Sequence, residues 1–242
     1  MRRLRVATYN VHGCRGHDGR CDPARIADVL HELQADVIAL QEVDSRSRRT
    51  RFDQFEALAL ATHMTPVADP QILGPDGQYG NVLLSRVPVL EVRRLDLSHG
   101  RREPRGAVDV DLAPWSGCTL RTVATHLGRT AGERAQQIRT LLEHLDGVEP
   151  AGRQATVLLG DFNEWWPRSR RLGELARRFA SCCAPLSFPA VLPVLALDRI
   201  WASEGCRVTT VSVHRSPLAR RASDHLPVVA ELDFAPVTDA AP

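Results

Sequence analysis

Five polar clusters, each set at one end of a strand-like apolar run, constrain this chain more than any other feature. Tyr9-Asn10 follows Leu4 to Ala7, Gln41-Glu42 follows Val37 to Leu40, and Thr125-His126 follows Val123-Ala124. Gly160-Asp161-Phe162-Asn163 follows Val157 to Leu159, and Ser223-Asp224-His225 precedes Leu226 to Val229. A carboxylate at the end of such a run has no packing reason to be there. Gathered on one rim of a sheet, carboxylates, amides and imidazoles can hold a hard divalent cation and activate water.

Between the clusters, strand and helix patterns alternate. Asp22 is placed to cap a helix whose first position is Pro23, with Ile26, Val29, Leu30 and Leu33 at i, i+3, i+4, i+7. Thr130 and Glu133 form a capping-box pattern ahead of Ile138, Leu141, Leu142 and Leu145. Ser169 precedes a third stripe of Leu172, Leu175, Ala176 and Phe179, and Phe55, Leu58 and Ala59 indicate a fourth helix. Runs reading as strands lie at 4–10, 36–41, 80–85, 89–95, 106–112, 119–125, 155–160, 199–202, 207–213 and 226–232. No helix pattern separates the strands from Gly80 to Thr125, which predicts antiparallel neighbours there. The expected class is α/β, with two helix-covered sheets packed on each other. Clusters scattered from Asn10 to His225 favour one domain over residues 1–242, with a core at about 4–234 and a flexible tail at 235–242.

Composition excludes several classes. Apolar content of 43% and charged content of 25% are those of a globular chain. A formal charge of +2 gives no general polyanion-binding surface. All 31 basic residues are arginine, so no lysine is available as a Schiff-base nucleophile or phosphate clamp. The six cysteines show no CxxC pair, and His12, Cys14, His17 and Cys21 match no zinc-ligand spacing. With no secretory leader pattern and no run long enough to span a membrane, a reduced cytoplasmic compartment is the default expectation.

Seven segments occur in a fixed order: TYNVHG around Asn10, VIALQEVD around Glu42, YGNVLLSR around Asn81, ATHLG around His126, LLGDFN around Asp161, LDRIW around Asp198 and SDHLPV around Asp224. Together they resemble the endonuclease/exonuclease/phosphatase superfamily of metal-dependent phosphoesterases, the DNase I-like proteins, from Leu4 to Phe234. The resemblance implies a four-layer α/β/β/α sandwich of two mixed, mainly antiparallel sheets. It also implies Mg²⁺ or Mn²⁺ held by Glu42, Asn10 and Asp224. By the same resemblance His225, oriented by Asp198, is a catalytic acid-base group, with Asp161 its rival for the role of base. A carboxylate on the far ring nitrogen would fix the tautomer.

His126 matches the family histidine that hydrogen-bonds phosphate. Asn163, two residues from Asp161, lies on the same side of an extended segment and is expected to donate to a phosphate oxygen. Asn81 and Arg105 are weaker substrate-binding candidates, a solvated loop arginine being the competing reading for the second. Trp165 and Trp166 fit an apolar wall beside the site, a base-stacking surface or the core. The implied function is phosphoester hydrolysis, a phosphodiesterase above all, by in-line attack of activated water. The expected partner is a phosphoester substrate, a small molecule, lipid or nucleic acid, with no obligate protein partner. A nuclease is the alternative, and a non-catalytic module keeping the fold is the second. Tyr9-Asn10 and the missing lysines depart from the abasic-site endonuclease branch, while the TYNVHG opening, EPRGA and LDRIW look like a bacterial branch for which phospholipids or small phosphodiesters are expected substrates.

Overall fold

Twelve strands, five α-helices and one 3₁₀ turn (His12–Cys14) make up the regular structure of a computed structural model that describes residues 2–46, 48–49, 52–148 and 153–234. The expected tail at 235–242 lies outside the described residues. In chain order the strands are β1 (Arg2–Asn10), β2 (Val37–Asp44), β3 (Thr65–Gly74), β4 (Gly77–Ser85), β5 (Val89–Asp96), β6 (Gly106–Trp115), β7 (Cys118–His126), β8 (Arg153–Asp161), β9 (Ser181–Cys183), β10 (Asp198–Ala202), β11 (Cys206–Val213) and β12 (Val228–Phe234). The helices are α1 (Pro23–Leu33), α2 (Gln54–Thr62), α3 (Ala131–Gly147), α4 (Arg170–Arg178) and α5 (Pro217–Ala222).

Local sequence explains most helix boundaries. The Asp22 carboxylate accepts from Arg25 N at the start of α1, and Gln34 closes the helix in the left-handed region. Thr130 and Glu133 exchange the two reciprocal bonds of a capping box. Ser169 caps α4 through Leu172 N, but only Leu172 and Leu175 are buried within that helix. Ala176 of the expected stripe is exposed, and Phe179 caps the C-terminus instead of continuing the helix.

One sheet runs β11-β12-β1-β2-β4-β3 and the other β5-β6-β7-β8-β10-β9. Their inner faces meet in a core that includes Val6, Val37 and Leu83 from the first sheet and Val110, Leu120, Val157 and Ile200 from the second. A second apolar cluster joins α1, α2 and α5 to the outer face of the first sheet, and a third joins α3 and α4 to the outer face of the second. The layers are therefore α/β/β/α. All pairings are antiparallel except β1 with β2 and β7 with β8, one in each sheet.

These two parallel pairs place the site. Their registers end at Asn10↔Gln41 and His126↔Asp161, so four carboxyl-terminal strand ends reach one edge of the sandwich. Asp198 starts β10 opposite Asp161, and Ser223-Asp224-His225 lies just before β12. At the other end of β1, Arg2 pairs with Phe234.

Three differences from the sequence reading have physical causes. The chain passes from the first sheet to the second between Ser85 and Val89, so β4 and β5 are not neighbours, although β5, β6 and β7 are antiparallel as expected. β12 begins at Val228 rather than Leu226, because Leu226 N is taken by Ser187 O and Pro227 has no N–H. β3 carries Pro66 and Pro70, which a strand tolerates at the sheet edge where it lies.

Candidate active site

Glu42 reaches its position through a backbone irregularity. The pairing of β2 with β4 shifts register between Leu40 and Val43, and Glu42 has a φ of 59°. Such a bulge re-aims one side chain, and here the carboxylate is aimed into a cavity of about 350 Å³. The same cavity is lined by Asp161, His126, Asn163, Arg105, Asp224 and His225.

A hydrogen-bonded array joins the two sheets at this edge. Asn10 Nδ2 donates to Glu42 Oε1 at 3.0 Å and to Asp161 Oδ2 at 3.1 Å, bridging two carboxylates. Asn10 Oδ1 accepts from His12 N at 3.0 Å. This departs from the expectation of an oxygen aimed at a cation, since two carboxylates attract the amide donor; an exchange of the amide's two ends presents Oδ1 to the same place. His225 Nδ1 lies 2.8 Å from Asp198 Oδ2, which also accepts from Ser187 Oγ at 2.5 Å. The other ring nitrogen, Nε2, faces Asp161 Oδ2 at 3.7 Å, and the ring packs on Phe188 with centroids 4.7 Å apart. Asp198 is fully buried and does not pair with Arg199, whose guanidinium instead reaches Glu164 O.

Electrostatics follow from burial and from this array. Burial opposes charge on His225, but the carboxylates of Asp198, Asp161 and Asp224 outweigh it and push the pKa up to about 10. Burial, helped by the neighbouring Asp198, raises Asp161 to about 6 against the opposing influence of His225. His126 is driven the other way. Burial first, then the nearby charges of Arg105, His225 and Arg129, hold its ring neutral well below the usual histidine range.

Asn163 occupies the left-handed region at φ 50° because β8 has already ended at Asp161. The two side chains are therefore not related by strand alternation; Asp161 Oδ1 accepts from Asn163 N at 2.8 Å and fixes the turn. Asn163 Nδ2 is engaged with Leu127 O and His126 Nε2, both at 3.0 Å.

The two weaker candidates separate. Arg105 is buried, lines the cavity and is paired with Glu103, so it is not a solvated loop arginine. Asn81, only 1% exposed, is not among the cavity-lining residues and donates to Gly106 O between the sheets. Trp165 and Trp166 are both exposed, which removes the core-packing alternative, and Trp165 lines the cavity. Cys14 is buried with its thiol on Gln54 Oε1 rather than in a cluster with His12 and His17.

Hard oxygen donors dominate the cavity: the carboxylates of Glu42, Glu103, Asp161 and Asp224. Such a set suits a hard divalent cation. Asp161, Asp198 and His225 also bring ligand atoms within 4.8 Å of one another. In that trio Asp198 Oδ2 already accepts from His225 Nδ1, so the hydrogen bonds describe a proton relay better than a coordination shell. Glu42 and Asp224 have more accessible carboxylates than that trio, with side chains 27% and 34% exposed, and the still more exposed Glu103 (47%) is paired with Arg105.

Residues 7–225 match the Endonuclease/Exonuclease/phosphatase family. The chain belongs to that family. It is similar to YbhP of Escherichia coli strain K12, 27% identical over 249 residues that cover 95% of this chain and 96% of that protein. A family structure from Beutenbergia cavernae shares 24% identity at a TM-score of 0.75, covering 97% of this chain and 72% of that one. A mannosyl-6-phosphatase from Bacteroides thetaiotaomicron shares 18% identity at a TM-score of 0.78, covering 96% and 100%. These two structures share the fold.

Placed in the endonuclease/exonuclease/phosphatase fold, the cavity also recruits residues that sequence reasoning missed: Tyr79, Glu103, Arg129, Phe188 and Leu197. Tyr79 and Glu103 belong to segments already singled out, two positions before Asn81 and two before Arg105. Strand alternation from Asn81 was a usable signal for Tyr79. Nothing local marked Arg129, Phe188 or Leu197, which arrive from loops.

Proposed function

We propose that this protein is a divalent-cation-dependent phosphodiesterase that hydrolyses its substrate by in-line attack of water. The reading is carried by one observation: Glu42, Asp161 and Asp224 share a cavity with the Asp198-fixed imidazole of His225. Glu42, Asp224 and Asn10 are the residues that would hold Mg²⁺ or Mn²⁺. A divalent cation there supplies neutralisation of phosphate charge and of the departing oxygen.

The chain's own groups do the rest. Asp161 Oδ2 takes the proton from the attacking water, and the His225 imidazolium, its Nε2 3.7 Å away, stabilises the negative charge beside it. Asp198 keeps His225 in one tautomer and stabilises its charge. Asn163 and Arg105 provide donors for the non-bridging oxygens, where charge grows during attack. Water's oxygen bonds to phosphorus as the ester oxygen leaves from the opposite face, and that oxygen regains a proton from solvent.

The diester follows from the family resemblance of the seven segments. The cavity's four carboxylates are set against Arg105, Arg129 and the His225 imidazolium, and a bound divalent cation would add to the positive side. The test is a panel of aryl phosphodiester, aryl phosphomonoester, abasic and intact duplex DNA, single-stranded RNA and phospholipid, each with Mg²⁺ and with EDTA. Mg²⁺-dependent cleavage of diesters ahead of the monoester is expected. Metal binding without turnover on any member would sink the proposal in favour of a non-catalytic module.

A further inference from the structure

Next to the cavity mouth, a loop presents aliphatic side chains to solvent in a way its backbone does not require. Phe188 and Leu195 form an isolated bridge that closes the loop, with Val194 N and Leu195 N both bonded to Phe188 O. Ala190 N bonds to Asp224 O at 2.7 Å, and Leu226 N to Ser187 O, which fastens the loop to the segment carrying Asp224 and His225. The tip is thus well anchored. Even so, Val191 is 61% exposed, Leu192 70% and Val194 58%.

Isolated exposed aliphatic residues are ordinary, but three within four positions on a fixed tip are a contiguous apolar protrusion. Phe188, at the base of this loop, and the exposed Trp165 both line the cavity, and Trp166, next in the chain, is 73% exposed. Charge flanks the protrusion. Arg220 Nη1 donates to Val191 O at 3.1 Å and Arg215 Nη2 to Leu186 O at 3.5 Å, bringing two guanidinium groups to the sides of the loop. Among the described residues, neither of these arginines nor the exposed Arg221 makes an ion pair.

We propose that this loop and its flanking arginines seat the cavity mouth on an anionic lipid bilayer, with Val191, Leu192 and Val194 entering the headgroup boundary. A protruding aliphatic tip enters a fluid phase without a matching pocket, an exposed indole suits the water–lipid boundary, and uncompensated guanidinium groups complement anionic headgroups. The inference needs no turnover and stands whether or not the cavity hydrolyses a diester.

The test is sedimentation of the full chain with sucrose-loaded vesicles of phosphatidylglycerol and phosphatidylcholine, against vesicles of phosphatidylcholine alone. Wild type is expected to partition at least tenfold more strongly onto the anionic vesicles, less so at high salt. Val191→Asp combined with Leu192→Asp is expected to reduce that partition at least tenfold, with an unchanged melting temperature and unchanged turnover of a soluble aryl phosphodiester. Arg215→Glu should lower the preference for anionic over neutral vesicles. If the double variant does not fold, a blue shift of wild-type tryptophan emission on adding anionic vesicles, reduced in Leu192→Ser, gives the same information. Absence of vesicle binding, binding indifferent to the loop substitutions, or a wild-type dimer in light scattering that those substitutions abolish would overturn the proposal. The last result would assign the patch to a second copy of the chain.

Discussion

At the scale of single residues, the orientation of His225 depends on a carboxylate that touches no solvent. Asp198→Asn keeps the volume but removes the charge that stabilises the imidazolium, so kcat for an aryl diester should fall about 10²–10⁴-fold, with a far smaller change in KM. An unchanged kcat would remove Asp198 from the relay. Asp69 offers a test of pH dependence away from the site. Burial raises its pKa from 3.8 to about 6, so the folded state binds this proton more tightly than the unfolded chain does. Its stabilising contribution is complete below pH 3.8 and is lost as pH rises through about 6. Asp69→Asn should therefore gain stability over wild type between pH 4 and 7, by about 2–3 kcal/mol at the upper end, as read by urea denaturation at each pH. A pH-independent difference would show that Asp69 does not titrate this way. The motifs made the identities of Asp198 and His225 legible. The positive φ of Glu42 and Asn163 was not legible, because neither residue type announces it; the bulge in β2 and the end of β8 impose it.

At the scale of elements, periodicity revealed α1 to α4 and ten of the strands, since each has a clear apolar face or run. It missed β9 and α5, three and six residues long, which are too short to show a period. It also missed β3, whose two prolines read as breakers until a sheet edge is known to receive them. The pairing of β7 with β8 is tight enough to test by substitution. Gly160 has a φ of 150°, and a Cβ added there would lie 1.9 Å from Thr125 O on the neighbouring strand. Gly160→Ala should cost about 2–4 kcal/mol in chemical denaturation, because backbone rather than a flexible side chain must yield. It should also reduce turnover in the molecules that do fold, as Asp161 and His126 end these two strands. Thr130→Ala, which removes a capping box without touching the sheets, should cost only about 1 kcal/mol and leave turnover unchanged.

At the scale of the whole molecule, the cavity exists only because two sheets meet along one edge, and Asn10 spans that seam to Asp161. A cation bound across it would report on global stability. At a concentration 100-fold above its Kd, Mg²⁺ should stabilise the fold by about 2.7 kcal/mol, a rise of roughly 5–10 °C in Tm that EDTA reverses. Glu42→Ala should abolish that rise while the metal-free melting temperature stays close to wild type. The pairing of Arg2 with Phe234 has a practical consequence. β1 runs from that pair to Asn10, so this end of the sheet lies about 26 Å from the strand end that carries Asn10. A label or surface attachment placed on the exposed side chain of Arg3, at that far end of the sheet, leaves the cavity mouth facing outward.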